Sequence, residues 1–155
     1  MKLETFISGH PKGQPRARAF ARKMGAKFVA RMYDSDVADE WKGQVRAGVL
    51  TAAIAQGLRA IDGAFKVELR FRFERSQSHF KKSGELGKGR VKEYIQKPDL
   101  DNLAKLILDV TTRLQCCWLD DDQINLLSVS KRWAQLDEAS GCHIIISTND
   151  NNGEV

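Results

Sequence analysis

No stretch of this chain approaches the roughly 18–20 consecutive apolar residues that a membrane-spanning helix needs. The opening MKLETFISGH also lacks the apolar core of a secretory leader. A cytoplasmic protein without a membrane partner is therefore expected. Cysteine is scarce: Cys116, Cys117 and Cys142 are an odd count, and none are spaced as C-x-x-C. Neither a disulfide framework nor a zinc site is suggested. Adjacent Cys116 and Cys117 read as small, semi-buried apolar residues of a reducing compartment. No internal repeat or linker divides the 155 residues. One domain with its own core is expected over residues 1–150, with 151–155 as a disordered tail.

What the chain does have is a charge imbalance. Residues 1–92 carry 20 Lys/Arg against 9 Asp/Glu, whereas residues 93–155 carry 5 against 11. A plain DNA-binding module has little use for the acidic part, since carboxylates repel phosphates. An enzyme that grips a polyanion and brings cations to it uses both. Lys12, Arg16, Arg18, Arg22, Lys23 and Lys27 form one basic stretch, and Lys81, Lys82, Lys88, Arg90 and Lys92 a second. Such clusters give salt-dependent, sequence-blind affinity for phosphates; the plainer alternative is a solvated surface. Phe20 and Phe80, set among these charges, are candidates to stack on exposed bases or to anchor their loops. His79 is a candidate phosphate contact, while His10 and His143 read as structural.

The elements follow from periodicity. LETFISG reads as a first strand, and the polar, Pro/Gly-interrupted stretch after it as a basic loop with a short extended piece at KFVARMY. A helix is expected from Ser35 to about Gln56, with Ser35 or Asp36 as N-cap and Trp41, Val45, Val49 and Ala52 as its packing face. Phe65, Val67, Leu69, Phe71 and Phe73 alternate with charged residues, the pattern of a strand with one buried and one wet face. The basic, glycine-bearing stretch 76–96 exceeds a normal connection and suggests a functional loop. Strands INLLSVSKRW and GCHIIIST close the fold. Together these predict an α+β domain: a small mixed sheet of about four to five strands with helices mainly on one face.

The chemistry concentrates in KPDLDNLAKLILD, residues 97–109. A helix is expected to begin at or just after Pro98, which makes Asp99 its first-turn or capping residue. At 100° per residue, Leu103, Leu106, Ile107, Val110 and Leu114 form one apolar stripe. Asp101, Lys105 and Asp109 lie on the opposite side. A second acidic group, Asp120, Asp121 and Asp122, precedes the next strand. Taken singly, the first pair is an ordinary helix start and the second an ordinary solvated turn. If the two meet, three carboxylates offer the hard oxygen ligands that suit Mg²⁺ or Mn²⁺ rather than zinc. Such ions bridge phosphate oxygens, activate a water and stabilise a leaving oxygen, and Lys105 is placed to neutralise developing charge. No organic cofactor is called for.

The ordered series KPDLDNLAKLILD…WLDDDQI resembles the signature of the RusA family of Holliday junction resolvases, small phage- and prophage-associated endonucleases. The likeness is close over Lys97–Gln123 and looser over PKGQPRAR, RFRFERSQSHFKKSG and the closing strand. It implies catalytic aspartates at Asp99, Asp101 and Asp121 and an essential lysine at Lys105. Asp120 would support the metal, though which of the three consecutive carboxylates ligates stays open. RLQCCWL lacks the glycine that many members place before the acidic pair. The resemblance further implies a homodimer that cuts four-way DNA junctions symmetrically with Mg²⁺, Mn²⁺ substituting, in recombination and repair. Against this stand a broader flap or fork nuclease, a catalytically silent junction-binding protein, and a phage regulator of duplex DNA. The last is disfavoured by the lack of a helix-turn-helix pattern.

Overall fold

The computed structural model describes residues 1–15, 18–33 and 36–148, without the side chains of 18–20 and 29–33. The expected tail 151–155, Arg16 and the N-cap candidate Ser35 lie outside the described residues. A four-stranded mixed sheet forms the centre, built from β1 (Lys2–Ser8), β4 (Phe65–Phe73), β5 (Ile124–Trp133) and β6 (Gly141–Thr148) in the order β1-β6-β4-β5. β6 runs antiparallel to both β1 and β4, whereas β4 and β5 are parallel. Helices α1 (Asp39–Ala55) and α2 (Leu100–Leu114) pack on one face. The α+β expectation holds, with four strands in the main sheet.

β4 shows why. Phe65, Val67, Leu69, Phe71 and Phe73 are all buried, while Lys66 and Arg70 between them are exposed. Each such side chain removed from water contributes about 1.5–3 kcal/mol, so the alternation pins the register against a one-residue slip. The open face carries ion pairs instead, including Arg70–Glu68 at 2.7 Å and His143–Glu4 at 3.0 Å. The three cysteines are free and buried. Among the described residues no helix is long and apolar enough to cross a membrane.

Two expectations need correction. The extended piece expected at KFVARMY is β3 (Lys27–Tyr33), but the basic stretch before it is not all loop: β2 (Arg18–Met24) pairs with β3 as an antiparallel hairpin. Gly25, at φ +64°, supplies the positive φ that a two-residue hairpin turn favours. The second concerns α1, which starts at Asp39 after a 3-10 turn at Asp36–Ala38 and has no side-chain cap. Its buried face is Trp41, Val45, Val49 and Ala53, with Ala52 only partly buried beside it. Trp41 belongs to the core.

The register makes a sharp prediction. Leu69→Ala should lower unfolding free energy by about 2–5 kcal/mol. Lys66→Ala on the same strand should change it by less than about 0.5 kcal/mol, both read from urea denaturation.

Candidate active site

Helix α2 places the acidic motif through its own amphipathicity. Leu103, Ala104, Leu106, Ile107 and Thr111 are buried, with Val110 and Leu114 partly buried against the same core. The other side therefore turns outward, carrying exposed Asp101 and Lys105 and half-buried Asp109. Lys105 Nζ stands 3.8 Å from Asp109 Oδ1, a one-turn pair on the helix surface. Asp99 occupies the N-cap position in extended geometry, and its carbonyl accepts from Leu103 N–H at 3.0 Å. Its carboxylate makes no capping bond. It lies 3.5 Å from Lys97 Nζ and is exposed, so the side chain is not consumed by holding the helix.

The helix ends at Gln115, which takes the left-handed conformation at φ 51°. A non-glycine residue there costs about 1–2 kcal/mol. Gln115 offsets this with its side-chain amide, which donates to Thr112 O and Leu119 O, both at 2.8 Å. This explains how a chain without a glycine at this point makes the turn. Trp118 is fully buried, packs edge-on to Phe65 at 5.7 Å, and donates from Nε1 to Thr112 Oγ1 at 2.7 Å.

Gln123 then fixes the acidic group. Its Oε1 accepts from Leu119 N–H at 2.6 Å and Asp120 N–H at 3.2 Å. Its Nε2 donates to Ile61 O, Asp62 Oδ1 and Gly63 O within 3.1–3.2 Å. Asp120 Oδ1 accepts from Asp121 N–H at 2.7 Å, completing a capping box around the 3-10 turn Asp121–Gln123. The Asp121 carboxyl is held above its ordinary value, chiefly by its hydrogen bond with Asp120, then by burial and the charges of Asp120 and Asp109; Lys105 opposes the shift.

The Asp121 turn thus lies near α2, close enough for the charges of Lys105 and Asp109 to act on its carboxyl. In a β4–α2–β5 crossover between parallel strands, the loop after the helix lies at the helix's far end. Asp101 and Asp109 are about 12 Å apart along the axis at 1.5 Å per residue, with Lys105 midway. Among the described residues no three His, Cys, Asp or Glu side chains stand close enough to hold one metal ion together. The structure brings Lys105, Asp109, Asp120 and Asp121 into one electrostatic neighbourhood and leaves Asp99 and Asp101 up to two turns toward the helix start.

A cavity of about 890 Å³ opens beside that start, lined by His10, Lys12, Gly13, Phe73, Tyr94, Lys97, Asp99 and Asn102 among others. The basic segment reaches it because Gln14 N–H donates to Asn102 O at 3.0 Å. Of the remaining basic candidates, Arg22, Lys23, Lys81, Lys82, Lys88 and Arg90 are exposed. Arg18 lies on β2 with its side chain outside the described residues, as is the side chain of Phe20. His79 is half-buried and edge-on to Trp133 at 6.3 Å. Burial, Arg90 and Arg75 keep its pKa below the ordinary value.

Sequence reasoning gave no role to Asp109, although its eight-residue spacing from Asp101 on the polar side was a usable signal. Gln115, Gln123 and Lys131 were also missed. Lys131 falls on the same phase of β5 as half-buried Val129 and Trp133, an unusual place for a lysine. Compared with known families, residues 8–144 match the family model described as Endodeoxyribonuclease RusA. No curated protein matches.

If Gln123 holds the acidic turn as described, Gln123→Ala should cost about 1–2 kcal/mol in urea unfolding. Gln123→Glu, which keeps the acceptor and loses the donors, should fall between.

Proposed function

This chain belongs to the RusA endodeoxyribonuclease family, and from that membership we propose that it is a Holliday junction resolvase, cutting four-way DNA by paired symmetric nicks as a homodimer in recombination and repair. The observation that carries this reading is the outward face of α2. It presents Asp101 and Lys105 between the Asp99 turn and the Asp121 turn, beside a cleft lined by Lys12 and Lys97. A surface of one charge sign would only bind DNA; this one sets cations for the backbone next to carboxylates that must be neutralised before phosphate approaches.

The donors suit a hard divalent cation. Asp99, Asp101 and Asp121 offer carboxylate oxygens, with Asp120 in support; among the described residues no three of them converge on one point, so holding one ion would require them to be drawn together. When bound, Mg²⁺, or Mn²⁺ in its place, supplies Lewis-acid polarisation of the phosphodiester and activation of the attacking water. Lys105 holds a positive charge on the same face and stabilises charge developing on the phosphate oxygens. Lys12, Arg16, Arg18, Arg22, Lys23, Lys81, Lys82, Lys88 and Arg90 grip the flanking backbone, with His79 among the candidate contacts. The β2–β3 ribbon has dimensions that a major groove accepts.

Asp101→Asn should keep junction binding within about twofold and lose Mg²⁺-dependent cutting by about a hundredfold or more, the order expected when one charge-stabilising group is removed. Gel-shift and cleavage assays on four-way, fork and linear DNA read both. Equal cutting by mutant and wild type would overturn the site, and wild-type preference for forks over four-way junctions would move the substrate assignment to a flap or fork nuclease. Separately, the Arg22→Ala, Lys23→Ala double variant should bind more weakly and flatten the plot of log affinity against log salt by nearly two, at about 0.9 per phosphate contact.

A further inference from the structure

The backbone that leads into Asp99 is held in an unusual way. Its three preceding carbonyls are each bonded by a side chain from outside the turn. Lys131 Nζ donates to Gln96 O at 2.7 Å and to Pro98 O at 2.8 Å. Between them, the Tyr94 hydroxyl donates to Lys97 O at 2.7 Å. The two clamping groups brace one another, since Lys131 Nζ lies 5.2 Å from the centroid of the Tyr94 ring. Tyr94 is itself fixed, stacked on Phe73 at 4.1 Å and 16° and edge-on to Trp133 at 4.6 Å.

Lys131 is poorly explained as part of the DNA-gripping surface. It pairs in register with buried Phe71, on the side of the sheet that faces the helices, and is half-buried. Two of its three donors are spent on carbonyls, and a tyrosine ring takes another side of the ammonium. Nor does it favour the helix, because a cation near the start of α2 meets the positive end of its dipole. What the lysine does satisfy is the carbonyl pair at the base of Asp99. Asp99 has no side-chain capping bond, so beyond its contact with Lys97 Nζ at 3.5 Å its carboxylate is placed by the path of its backbone.

We propose that Lys131, seconded by Tyr94, is a positioning residue of the nuclease site, fixing Gln96–Pro98 and through it the direction in which Asp99 projects. This rests on the nuclease reading above. An error of about 1 Å in such a group can cost on the order of a hundredfold in rate.

The test uses the full chain with three substitutions: Lys131→Met, which keeps the apolar stem and removes the donors; Lys131→Arg, which restores donors; and Tyr94→Phe, which removes only the hydroxyl. Junction affinity without divalent metal, kcat and KM with Mg²⁺, and Mn²⁺ affinity by the spin-resonance signal of free Mn²⁺ are measured for each. Lys131→Met should bind junctions within about twofold of wild type and keep KM, while kcat falls about 10–100-fold and Mn²⁺ binding weakens about tenfold, the scale of losses at supporting residues of metal sites. Lys131→Arg should recover part of both, and Tyr94→Phe should show a smaller loss in the same direction.

Unchanged kcat and Mn²⁺ affinity in Lys131→Met would overturn the proposal. So would weakened junction binding at unchanged kcat, which would make Lys131 a DNA contact. If Lys131→Met does not fold, Tyr94→Phe decides alone, and wild-type values in it would overturn the proposal. A wild-type protein that cuts no junction would instead sink the nuclease reading, and the Mn²⁺ affinities would still judge the clamp.

Discussion

Burial of Leu103, Leu106 and Ile107 fixes the rotation of α2 about its own axis, and the direction of every charged group on its far side follows. A helix whose apolar stripe packs this way cannot turn by a residue without exposing leucine and burying aspartate, and burying an unpaired charge is prohibitive. Asp101, Lys105 and Asp109 therefore project outward as a row. The same burial locks the crossover from β4 to β5, so the turn holding Asp121 arrives at the middle and far end of that row.

The electrostatics of the row come from crowding rather than from strong pairs. Exposed ion pairs such as Lys105–Asp109 are worth roughly 0.2–1 kcal/mol, too little to account for gathering this many carboxylates. The Asp121 carboxyl is held above its ordinary value first by its hydrogen bond with Asp120, then by burial, with the charges of Asp120 and Asp109 adding to the shift. Lys105 is one turn from both Asp101 and Asp109 and also lowers the Asp121 carboxyl. It thus links the two acidic groups and moderates their repulsion without cancelling it. A polyanion approaching such a surface needs further positive charge between itself and the carboxylates, which is why the basic stretches and a divalent cation belong to one argument.

Legibility in the sequence followed burial. β4 and α2 were readable because each has one buried face, so the period of its apolar residues reports its structure directly. The β2–β3 hairpin was not, because Arg18–Met24 has no apolar alternation, and a two-stranded ribbon is specified by its turn and its partner. The candidate site divided along the same line. Asp101 and Lys105 were placed by helical spacing, and Asp99 by the proline before it. Where Asp121 lands is tertiary: it depends on Gln115 adopting a left-handed turn in place of a glycine and on Gln123 reaching back to Ile61–Gly63. A glutamine carries no motif, so neither role shows in the chain. Lys131 left one trace, a charged residue in a phase reserved for apolar ones.

The two acidic groups are held by different means, and the parallel pairing of β4 with β5 puts them at opposite ends of β5. β5 begins immediately after the 3-10 turn of Asp121 and ends beside the segment that leads into Asp99. Its first residue follows Gln123, whose amide pins the Asp121 turn. Near its end Lys131 pins the carbonyls before Asp99. Between them the strand is paired with β4, whose inward side chains are all buried. Both acidic turns are irregular backbone, yet each is tied down by a side chain: the Asp121 turn by the Gln123 amide to residues 61–63 just before β4, and the Asp99 turn by the Lys131 ammonium of β5. The order of the candidate site therefore depends on residues at the two ends of β5, Gln123 just before it and Lys131 near its end, neither of which is one of the three aspartates.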